Sequence, residues 1–276
     1  MPELAEVEYV VRQMRTSIIG AEIARVNIAW ERAISHPTAP EFTEALVGRT
    51  IERIDRRAKL MLLYLSADGV VTVHRRMSGN LILREADQPD VPYLCVDFTL
   101  ADGRHLQYTD PRKFGRLALW TVAELPSVLA QFGVEPLGPD FTIARLTQIV
   151  QRHDRALKPL LLDQAQIAGL GNIYTDEALL LARLHPLRSA SCLTDAEIVR
   201  LHAAIISVLE LGIAHGGTTF GRHQDLFGNA GRNFDHLKAY QQEGKPCPTC
   251  GTPIERVVVA QRGTRICPTC QVLPSQ

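Results

Sequence analysis

The N-terminal residues Pro2, Glu3 and Glu6 combine a potential nucleophile with two carboxylates. If Met1 is removed, the nitrogen of Pro2 becomes a free secondary amine. An α-amine has a pKa of about 7.7–8, so part of it is unprotonated near neutral pH and can attack an electrophilic carbon. Glu3 and Glu6 are three residues apart on one predicted helix face, where both can serve the same reacting centre. On these residues alone, acidic side chains that simply suit a helix start are the alternative.

Four of the six cysteines form two C-x2-C pairs. This spacing is typical of a zinc ribbon, in which two turns supply four thiolates to one tetrahedral ion. Two disulfides are the alternative, which a reducing cytosol disfavours. Because the protein supplies all four ligands, the pattern predicts one structural zinc. The isolated Cys95 and Cys192 are predicted to be small buried hydrophobic residues. The predicted ligands are Cys247, Cys250, Cys267 and Cys270.

Two further motifs place cations beside an aromatic or a flexible apolar side chain. Residues 110–115 read Asp-Pro-Arg-Lys-Phe-Gly, and residues 74–79 read His-Arg-Arg-Met-Ser-Gly. Cations bind phosphates, whereas an aromatic ring or a methionine can wedge between bases. Taken singly, each motif is more often an ordinary solvated turn.

Three other positions suit contacts with a polyanion. Lys59 follows two arginines and precedes a strand, so its amine is either buried and activated or merely exposed. The glycines of residues 168–171 lead into a helix that begins at Asn172, where free amide hydrogens bind phosphate; close packing is the alternative. Arg262 is expected at the tip of a hairpin formed by residues 261–264, pointing away from the metal.

Hydrophobic periodicity predicts the elements that position these residues. Residues 4–18 have the apolar spacing of an amphipathic helix. Short strands with Asp-Gly turns then indicate an antiparallel sandwich or barrel over residues 1–130. The predicted strands are 23–30, 60–65, 70–74, 81–84, 94–100 and 106–108.

Beyond a Pro- and Gly-rich linker at residues 131–141, the period becomes helical. Helices are predicted at 142–152, 156–164, 172–182 and 194–214, the last with a capping box from Thr194 to Glu197. An irregular segment rich in Gly, Asn and Arg follows. These elements predict a helical domain at 142–236 and a small zinc module at 237–276.

Composition excludes several classes of protein. The chain has 276 residues, 46% hydrophobic, and a formal net charge of zero. No uncharged apolar run approaches the ~18 residues of a membrane span, and the acidic first turn does not resemble a signal peptide. We therefore expect no membrane association and a cytoplasmic location. Zero net charge means that any nucleic-acid surface must be a local patch.

Taken together, the ordered motifs resemble the bacterial formamidopyrimidine-DNA glycosylases over the whole chain. The resemblance implies an α+β multidomain fold with an N-terminal β-sandwich that carries an N-terminal helix, a helix–two-turn–helix domain and a C-terminal zinc-finger β-hairpin. It also implies double-stranded damaged DNA as the partner, one structural zinc, and a nucleoid-associated monomer. The shared motifs are Pro2-Glu3-Leu4 with Glu6-Val7-Glu8, Arg57-Ala58-Lys59, Met77-Ser78-Gly79, residues 110–115, Leu157-Lys158-Pro159, Gly171-Asn172-Ile173-Tyr174, Gly216-Gly217-Thr218-Thr219 and Gln261-Arg262.

The resemblance also implies roles for five catalytic residues. Pro2 is implied as the nucleophile that attacks C1′ of a damaged nucleotide, expels the base and forms an iminium link to the sugar. Glu3 is implied as the general acid for the sugar ring oxygen, with Glu6 as a second carboxylate. Lys59 and Arg262 are implied as proton donors for β- and δ-elimination respectively, and both as phosphate contacts.

DNA contacts follow from the need to extrude a stacked base before chemistry. Residues 217–235 match a flexible cap over the flipped base. Met77, Arg112 and Phe114 are implied to fill the vacated space, and His74, His153, Lys158 and Asn172 to contact the DNA.

Two departures and three functional alternatives remain at this point. Ala5 stands where relatives carry a second proline, and Arg75-Arg76 stand where they often carry Leu-Gly, which is expected to add charge near the DNA. The first hypothesis is a bifunctional glycosylase and lyase for oxidised purines. An endonuclease VIII-like enzyme for oxidised pyrimidines shares the Pro2 chemistry, whereas a non-catalytic zinc-ribbon DNA-binding protein requires neither Pro2 nor Glu3.

Overall fold

The computed structural model describes residues 2–221 and 223–273. The expected removal of Met1 therefore lies outside the described residues. Within these ranges, no helix has the length and apolar character needed to cross a membrane. The chain forms two compact units, Met1–Ala130 with Ile213–Phe234, and Gln131–Gly212 with Asp235–Gln276. The domain boundaries at 130, 142 and 237 stay a prediction.

The first unit begins with helix α1, Leu4–Ser17. Its apolar face is fully buried, as the spacing predicted; Leu4, Val7 and Met14 are each 0% exposed. The helix start is closed by a capping box in which Glu3 and Glu6 exchange side-chain and backbone hydrogen bonds. On its outer face, Glu8 accepts a hydrogen bond from Arg56 at 3.0 Å, which ties the helix to the sheet below it.

Within the described part of this unit, nine strands and two further helices complete the fold. These strands are three to seven residues long. The helices are α2 (Ala39–Leu46) and α3 (Leu125–Leu129). The strands are β1 (Ile23–Ile28), β2 (Ile34–His36), β3 (Ile51–Arg57), β4 (Leu60–Leu65), β5 (Gly69–His74), β6 (Asn80–Arg84), β7 (Leu94–Leu100), β8 (His105–Thr109) and β9 (Arg116–Thr121).

The strands form two sheets, which confirms the sandwich. One sheet has the order β1-β7-β8-β6 and the other β2-β9-β5-β4-β3. Pairing is antiparallel except between β2 and β9. Side chains of both sheets, α1 and α2 share one apolar core that includes Phe42, Met61 and Phe98, and burial of such surface is the main stabilising term.

Residues 213–234 belong to this first unit although they follow the helical region in sequence. Leu226 is 0% exposed within the sandwich core, and its carbonyl accepts a hydrogen bond from the amide of Leu83 in β6 at 2.8 Å. The side chain of Gln13 in α1 accepts from the Leu226 amide at 3.0 Å. The irregular segment is thus attached to the sandwich through Leu226, which lies near the middle of the segment.

The second unit contains four predicted helices with bounds close to those expected. Thr142 caps the first of them, accepting a hydrogen bond from the Arg145 amide at 3.1 Å, and the predicted Thr194–Glu197 capping box is confirmed, with Glu197 accepting from the Thr194 amide at 2.8 Å. The helices are α4 (Ile143–Gln151), α5 (Leu157–Leu162), α6 (Asn172–Ala182) and α7 (Asp195–Ala214).

The C-terminal module is a β-hairpin of β10 (Glu255–Val259) and β11 (Arg262–Ile266). Its two-residue turn is Ala260-Gln261, with φ angles of 47° and 61°, because a hairpin of this length requires two left-handed residues. Arg262 is therefore the first residue of β11, and the expected turn at residues 261–264 was placed too far along the chain.

Candidate active site and DNA-binding residues

Glu3 and Glu6 lie together at the start of α1, directly after the buried Pro2. Glu6 is 1% exposed. Its two oxygens accept hydrogen bonds from different backbone amides, that of Glu3 at 2.7 Å and that of Thr218 at 2.8 Å. The Glu6 carboxylate thus fixes the backbone of Glu3 and anchors the segment that begins at Gly217.

Gly217 accommodates this contact for two physical reasons. Its φ is +77°, a conformation that residues with a Cβ adopt at a cost, and a Cβ placed there would lie 2.7 Å from Cγ of Glu6. The glycine is therefore required for the close approach of the segment to the carboxylate.

Lys59 and His74 lie at adjacent positions of the second sheet. Lys59 occupies the two-residue turn between β3 and β4, after Ala58 at φ +54°, and is 7% exposed. His74 pairs with Leu60, the next residue. Burial, with the positive charges of Arg76 and Lys59, lowers the pKa of His74 to about 4. Its Nδ1 accepts the Arg76 amide at 3.0 Å, so the neutral ring carries its hydrogen on Nε2 and offers a donor rather than a cation.

Asp110 organises the turn that contains Arg112 and Phe114. It is 0% exposed, and one carboxylate oxygen accepts the amides of Phe114 and Gly115, both at 2.8 Å. The other oxygen accepts the Ser78 hydroxyl at 2.5 Å and the Arg112 amide at 3.1 Å. One buried carboxylate thereby connects the 110–115 turn to the 75–79 turn.

Tyr108 lies beneath both turns, fully buried. A Cβ at Gly79 would lie 2.4 Å from the Tyr108 hydroxyl oxygen, and one at Gly115 only 1.6 Å from it. Both glycines are therefore needed for the turns to close over the ring. Burial also raises the pKa of Tyr108 above its usual range, with the Asp110 charge as the next cause.

Met77, Arg112 and Phe114 project together from these two turns. Arg112 Nη1 lies 3.3 Å from Met77 Sδ, and the Arg112 guanidinium carbon lies 4.8 Å from the centre of the Phe114 ring. Met77 and Phe114 are 48% and 49% exposed. An exposed thioether, guanidinium and ring in mutual contact have the composition of a base-stack wedge.

Arg75 does not add charge to this surface, contrary to expectation. It is 1% exposed, and its guanidinium points inward to the Gly79 carbonyl, the Asn80 side chain and the Gln224 carbonyl. It also contacts Nδ1 of His223. Burial lowers the pKa of Arg75 to about 10, which still leaves it protonated at neutral pH. Arg76 is the exposed member of the pair.

Lys158 in the second unit is also buried, at 0% exposure. Its ammonium donates to Asp176 Oδ1 at 2.5 Å and to Thr264 Oγ1 at 2.8 Å, while Asp176 Oδ2 accepts the Arg265 amide at 3.1 Å. Burial raises the pKa of Asp176 to about 6, although the Lys158 charge opposes the shift. The structure therefore places the ammonium among α5, α6 and β11 rather than at the surface expected for a DNA contact.

Asn172 and Arg262 are linked through Gly263, which follows Arg262 in the chain and accepts a hydrogen bond from Asn172. Asn172 is the first residue of α6, and its Nδ2 donates to the Gly263 carbonyl at 3.0 Å. Arg262, exposed, is the neighbour of Gly263 in β11. The amides of a helix start, an amide side chain and a guanidinium are the groups that bind a phosphate.

His153 differs from these residues in its surroundings. It follows α4 and is partly buried, with Nδ1 donating to the Ile149 carbonyl at 2.8 Å. That bond caps the end of α4.

The four predicted zinc ligands converge. Their sulfur atoms all lie within 4.8 Å of one another, with Cys247–Cys270 and Cys250–Cys267 separations of 3.9 and 3.4 Å. A tetrahedral ion with Zn–S bonds of about 2.3 Å sets sulfur–sulfur distances of about 3.8 Å, so the thiolates fit one structural zinc. Of the isolated cysteines, Cys95 is buried as predicted, whereas Cys192 is exposed and that prediction was wrong.

Three family models match successive parts of this chain. Residues 1–117 match the formamidopyrimidine-DNA glycosylase N-terminal domain, residues 132–224 the H2TH domain of the same proteins, and residues 244–272 the zinc finger found in FPG and IleRS. The chain belongs to the formamidopyrimidine-DNA glycosylase family. It is a DNA glycosylase that acts on damaged bases in DNA repair.

Individual members of the formamidopyrimidine-DNA glycosylase family agree along the full length. The enzyme named for this activity in Roseiflexus sp. (strain RS-1) is 44% identical over 272 residues, which cover 98% of this chain and 100% of the relative. A Lactococcus lactis FPG mutant bound to Fapy-dG-containing DNA superposes with a TM-score of 0.92 at 34% identity, covering 98% and 100% of the two chains. The wild-type Lactococcus lactis protein with DNA containing an oxidised pyrimidine gives 0.91 at 34% identity with the same coverage.

Three buried residues that hydrogen-bond near predicted site residues, each within its own unit, were not recognised from sequence. Asp110 was quoted only as part of a motif, Asp176 had no assigned role, and Arg75 was expected at the surface. Asp110 had a detectable signal, because an Asp that precedes a Pro-containing turn commonly accepts the following amides. The sequence gave no such signal for Arg75, whose partners His223 and Gln224 are remote, or for Asp176, which binds the Arg265 amide.

Proposed function

We propose that this glycosylase is bifunctional: it excises oxidised purines, including 8-oxoguanine and formamidopyrimidines, and then cleaves the strand by β,δ-elimination. The observation that carries the proposal is the position of Glu3 at the cap of α1, immediately after Pro2 and with its backbone held by Glu6. A nucleophilic amine and a fixed acid are the two groups that Schiff-base chemistry at a sugar requires.

In the proposed first stage, the Pro2 nitrogen attacks C1′ and the bond from C1′ to the base breaks. The base departs with that electron pair and takes up the proton that the Pro2 nitrogen loses once it is bonded to C1′, which restores the lone pair on that nitrogen. Glu3 protonates the sugar ring oxygen as the ring opens, and the nitrogen lone pair completes an iminium to C1′. Glu6 stays in place as the acceptor that fixes Glu3 and Thr218.

In the proposed second stage, the iminium acidifies C2′–H. Loss of this proton expels the 3′ phosphate, and a further elimination expels the 5′ phosphate. Lys59, buried beside His74, is assigned to proton transfer in the first elimination and Arg262 to the second. His74 contributes an Nε2–H donor to phosphate, and Asn172 contributes its amide at the start of α6.

The proposed wedge is Met77, Arg112 and Phe114, which replaces the flipped nucleotide in the stack. Lys158 acts on this DNA indirectly, through Thr264 and the strand that carries Arg262. His153 remains the least supported DNA contact, since its ring is engaged with the end of α4. The proposal includes a monomer that acts on double-stranded chromosomal DNA in the bacterial cytoplasm.

Oxidised pyrimidines are a second candidate substrate class. The supporting observation is the complex of the Lactococcus lactis protein with DNA containing an oxidised pyrimidine, since that protein shares the fold of this chain at a TM-score of 0.91.

Borohydride trapping tests the proposal. Duplexes carrying 8-oxoguanine, a formamidopyrimidine, thymine glycol or no lesion are incubated with the purified protein and reduced. We expect adducts with the two purine lesions in excess of thymine glycol, and none with intact DNA. In a matched form, one alanine ahead of Pro2 converts the proline nitrogen into an amide and leaves the other side chains in place. This form should give no adduct. A protein that binds damaged duplex without any adduct would contradict the lyase proposal, and a preference for thymine glycol would favour the second candidate.

A further inference from the structure

The buried Arg75 guanidinium joins two segments that the proposed function uses for different tasks. One is the turn of residues 75–79, which presents Met77. The other is residues 223–226, the middle of the segment proposed to cover the flipped base. In sequence, Arg75 and His223 are 148 residues apart.

On the wedge side, Arg75 closes its own turn. Its carbonyl accepts the Gly79 amide at 3.0 Å, and its Nε donates to the Gly79 carbonyl at 2.9 Å. Backbone and side chain of one residue thus bind both polar groups of Gly79, which fixes the base of the turn below Met77.

On the cap side, Arg75 and Asn80 bind both backbone polar groups of a single residue, Gln224. Arg75 Nη2 donates to the Gln224 carbonyl at 3.2 Å and to Asn80 Oδ1 at 2.9 Å. Asn80 Oδ1 in turn accepts the Gln224 amide at 3.0 Å. His223 Nδ1 is a further acceptor for the same amino group. These bonds hold residues 223–224 against the end of β5 and the start of β6.

The chemistry of this linkage is unusual for a purely structural contact. In the part of the chain that the structure describes, the acceptors of the guanidinium are carbonyls, an amide and an imidazole, and no carboxylate there bonds directly to the buried charge. Its Nη1 is buried without a hydrogen-bond partner among the described residues. Both features disfavour folding, and local features of this kind are concentrated where function requires them.

We propose that Arg75 is a positioning residue that couples the Met77 wedge to the cap over the flipped base. The inference rests on the proposed function, because the wedge and cap roles belong to it. When residues 223–226 are held on the Met77 turn, insertion of the wedge and closure over the base share one rigid support. Excision of a base then requires the linkage, whereas incision at a site that has no base to cover does not.

Arg75→Met tests the coupling, with Arg76→Met as the matched control. Both changes remove one arginine charge, but Arg76 is exposed and only its backbone amide, which the variant keeps, is bonded to His74. Single-turnover excision of 8-oxoguanine and incision of a preformed abasic duplex are measured side by side. For Arg75→Met we expect excision to fall about 10- to 100-fold, the scale of a small misplacement, with abasic incision retained. For Arg76→Met the ratio of the two rates should equal that of the wild type.

Hydrogen exchange measures the linkage without relying on catalysis. In Arg75→Met, amides of residues 223–226 should exchange about tenfold faster or more, while those of β4 and β5 keep their wild-type rates. Asn80→Ala removes the shared acceptor from the other side and should give the same pattern, which retains the test if Arg75→Met folds poorly.

Equal losses of excision and abasic incision would overturn the coupling and leave Arg75 a general structural role. Unchanged exchange in residues 223–226 of both variants would also overturn it. A wild-type protein that forms no adduct with any lesion would instead overturn the proposed function, whereas an active wild type with an unchanged ratio in Arg75→Met refutes only the role of Arg75.

Discussion

The Asp110 carboxylate accepts the Ser78 hydroxyl at 2.5 Å, across 32 residues of sequence. Because Ser78 follows Met77 and the same carboxylate binds the amides of Phe114 and Gly115, a single buried anion holds the wedge together. Burial alone would raise the pKa of Asp110, but the hydrogen bonds from Ser78 and the backbone lower it below its ordinary value.

Asp110→Ala should destabilise the protein by about 3 kcal/mol, since it leaves several buried donors unpaired. Urea unfolding measures this change. Asp87→Ala, at an exposed carboxylate, should stay within about 0.5 kcal/mol of the wild type. Equal effects of the two substitutions would contradict the role given to Asp110.

Gly217→Ala should destabilise the protein more than Gly48→Ala. Both glycines have nearly the same φ, +77° and +79°, but a Cβ at Gly48 has no atom within 4 Å while one at Gly217 meets Glu6. The shared backbone effect is about 1–2 kcal/mol, and the steric conflict should add about 1–3 kcal/mol at Gly217. Thermal and urea unfolding of the two variants measure the effect of the contact between Gly217 and Glu6. Identical losses of unfolding free energy would show that this contact is not close enough to exclude a Cβ.

Lys158→Met should destabilise the protein by about 3–5 kcal/mol, because Asp176 is left buried without its partner. The double variant Lys158→Met with Asp176→Leu should recover much of that loss, since both charges are then removed. Arg155→Met breaks the partly exposed pair of Arg155 with Asp163 and should cost about 1 kcal/mol or less. A double variant no more stable than Lys158→Met alone would argue against a buried ion pair.

His74 should remain neutral far below the usual range of histidine. Its folded pKa of about 4 lies below the unfolded value near 6.5, so between these values the unfolded chain binds a proton that the folded chain does not. Stability attributable to His74 is therefore constant above pH 6.5 and falls as the pH is lowered towards 4. The difference in unfolding free energy between wild type and the non-titrating His74→Asn should show this slope. A nitrogen-15 spectrum with His74 protonated at pH 6 would contradict it.

Substitution of a clustered cysteine should affect zinc content and DNA binding, whereas substitution of an isolated cysteine should not. Cys247→Ala, or prolonged chelation, should release one equivalent of zinc and weaken binding to damaged duplex, because the fold of a zinc ribbon depends on its ion. Cys192→Ser, at the exposed isolated cysteine, should keep both. Zinc content by elemental analysis and binding by fluorescence anisotropy provide the two measurements, and a Cys247→Ala protein with full metal and affinity would refute the ligand set.

Sequence patterns predicted elements whose signals are local. The helix α1, the strands β4 and β7 and the capping box at Thr194 each depend on residues within one short stretch. The strand β3 was missed because only Ile51 and Ile54 of its seven residues are buried and a bulge interrupts its register. Its charged sequence therefore lacks the period of two that marks a strand. The short strand β2, the strand β9 and the helix α2 were also not predicted.

Motif resemblance identified the zinc ligands, which converge in space, but it did not predict the inward direction of two basic side chains. A cation is normally exposed, and partners outside its own turn help to reverse that expectation. Gln224 and His223 do so for Arg75, and Asp176 and Thr264 for Lys158. These pairings depend on how remote segments fold together, which one sequence does not contain.

The fit of Tyr108 between Gly79 and Gly115 separates what can vary in this molecule from what cannot. Any side chain at either glycine would displace the Tyr108 ring. The residues beneath the proposed wedge therefore tolerate almost no substitution. The side chains of Met77, Arg112 and Phe114 are exposed, and the Tyr108 ring does not restrict substitution at these positions. Variants of the proposed wedge are therefore best made by exchanging those three side chains while Gly79, Gly115 and Tyr108 are kept.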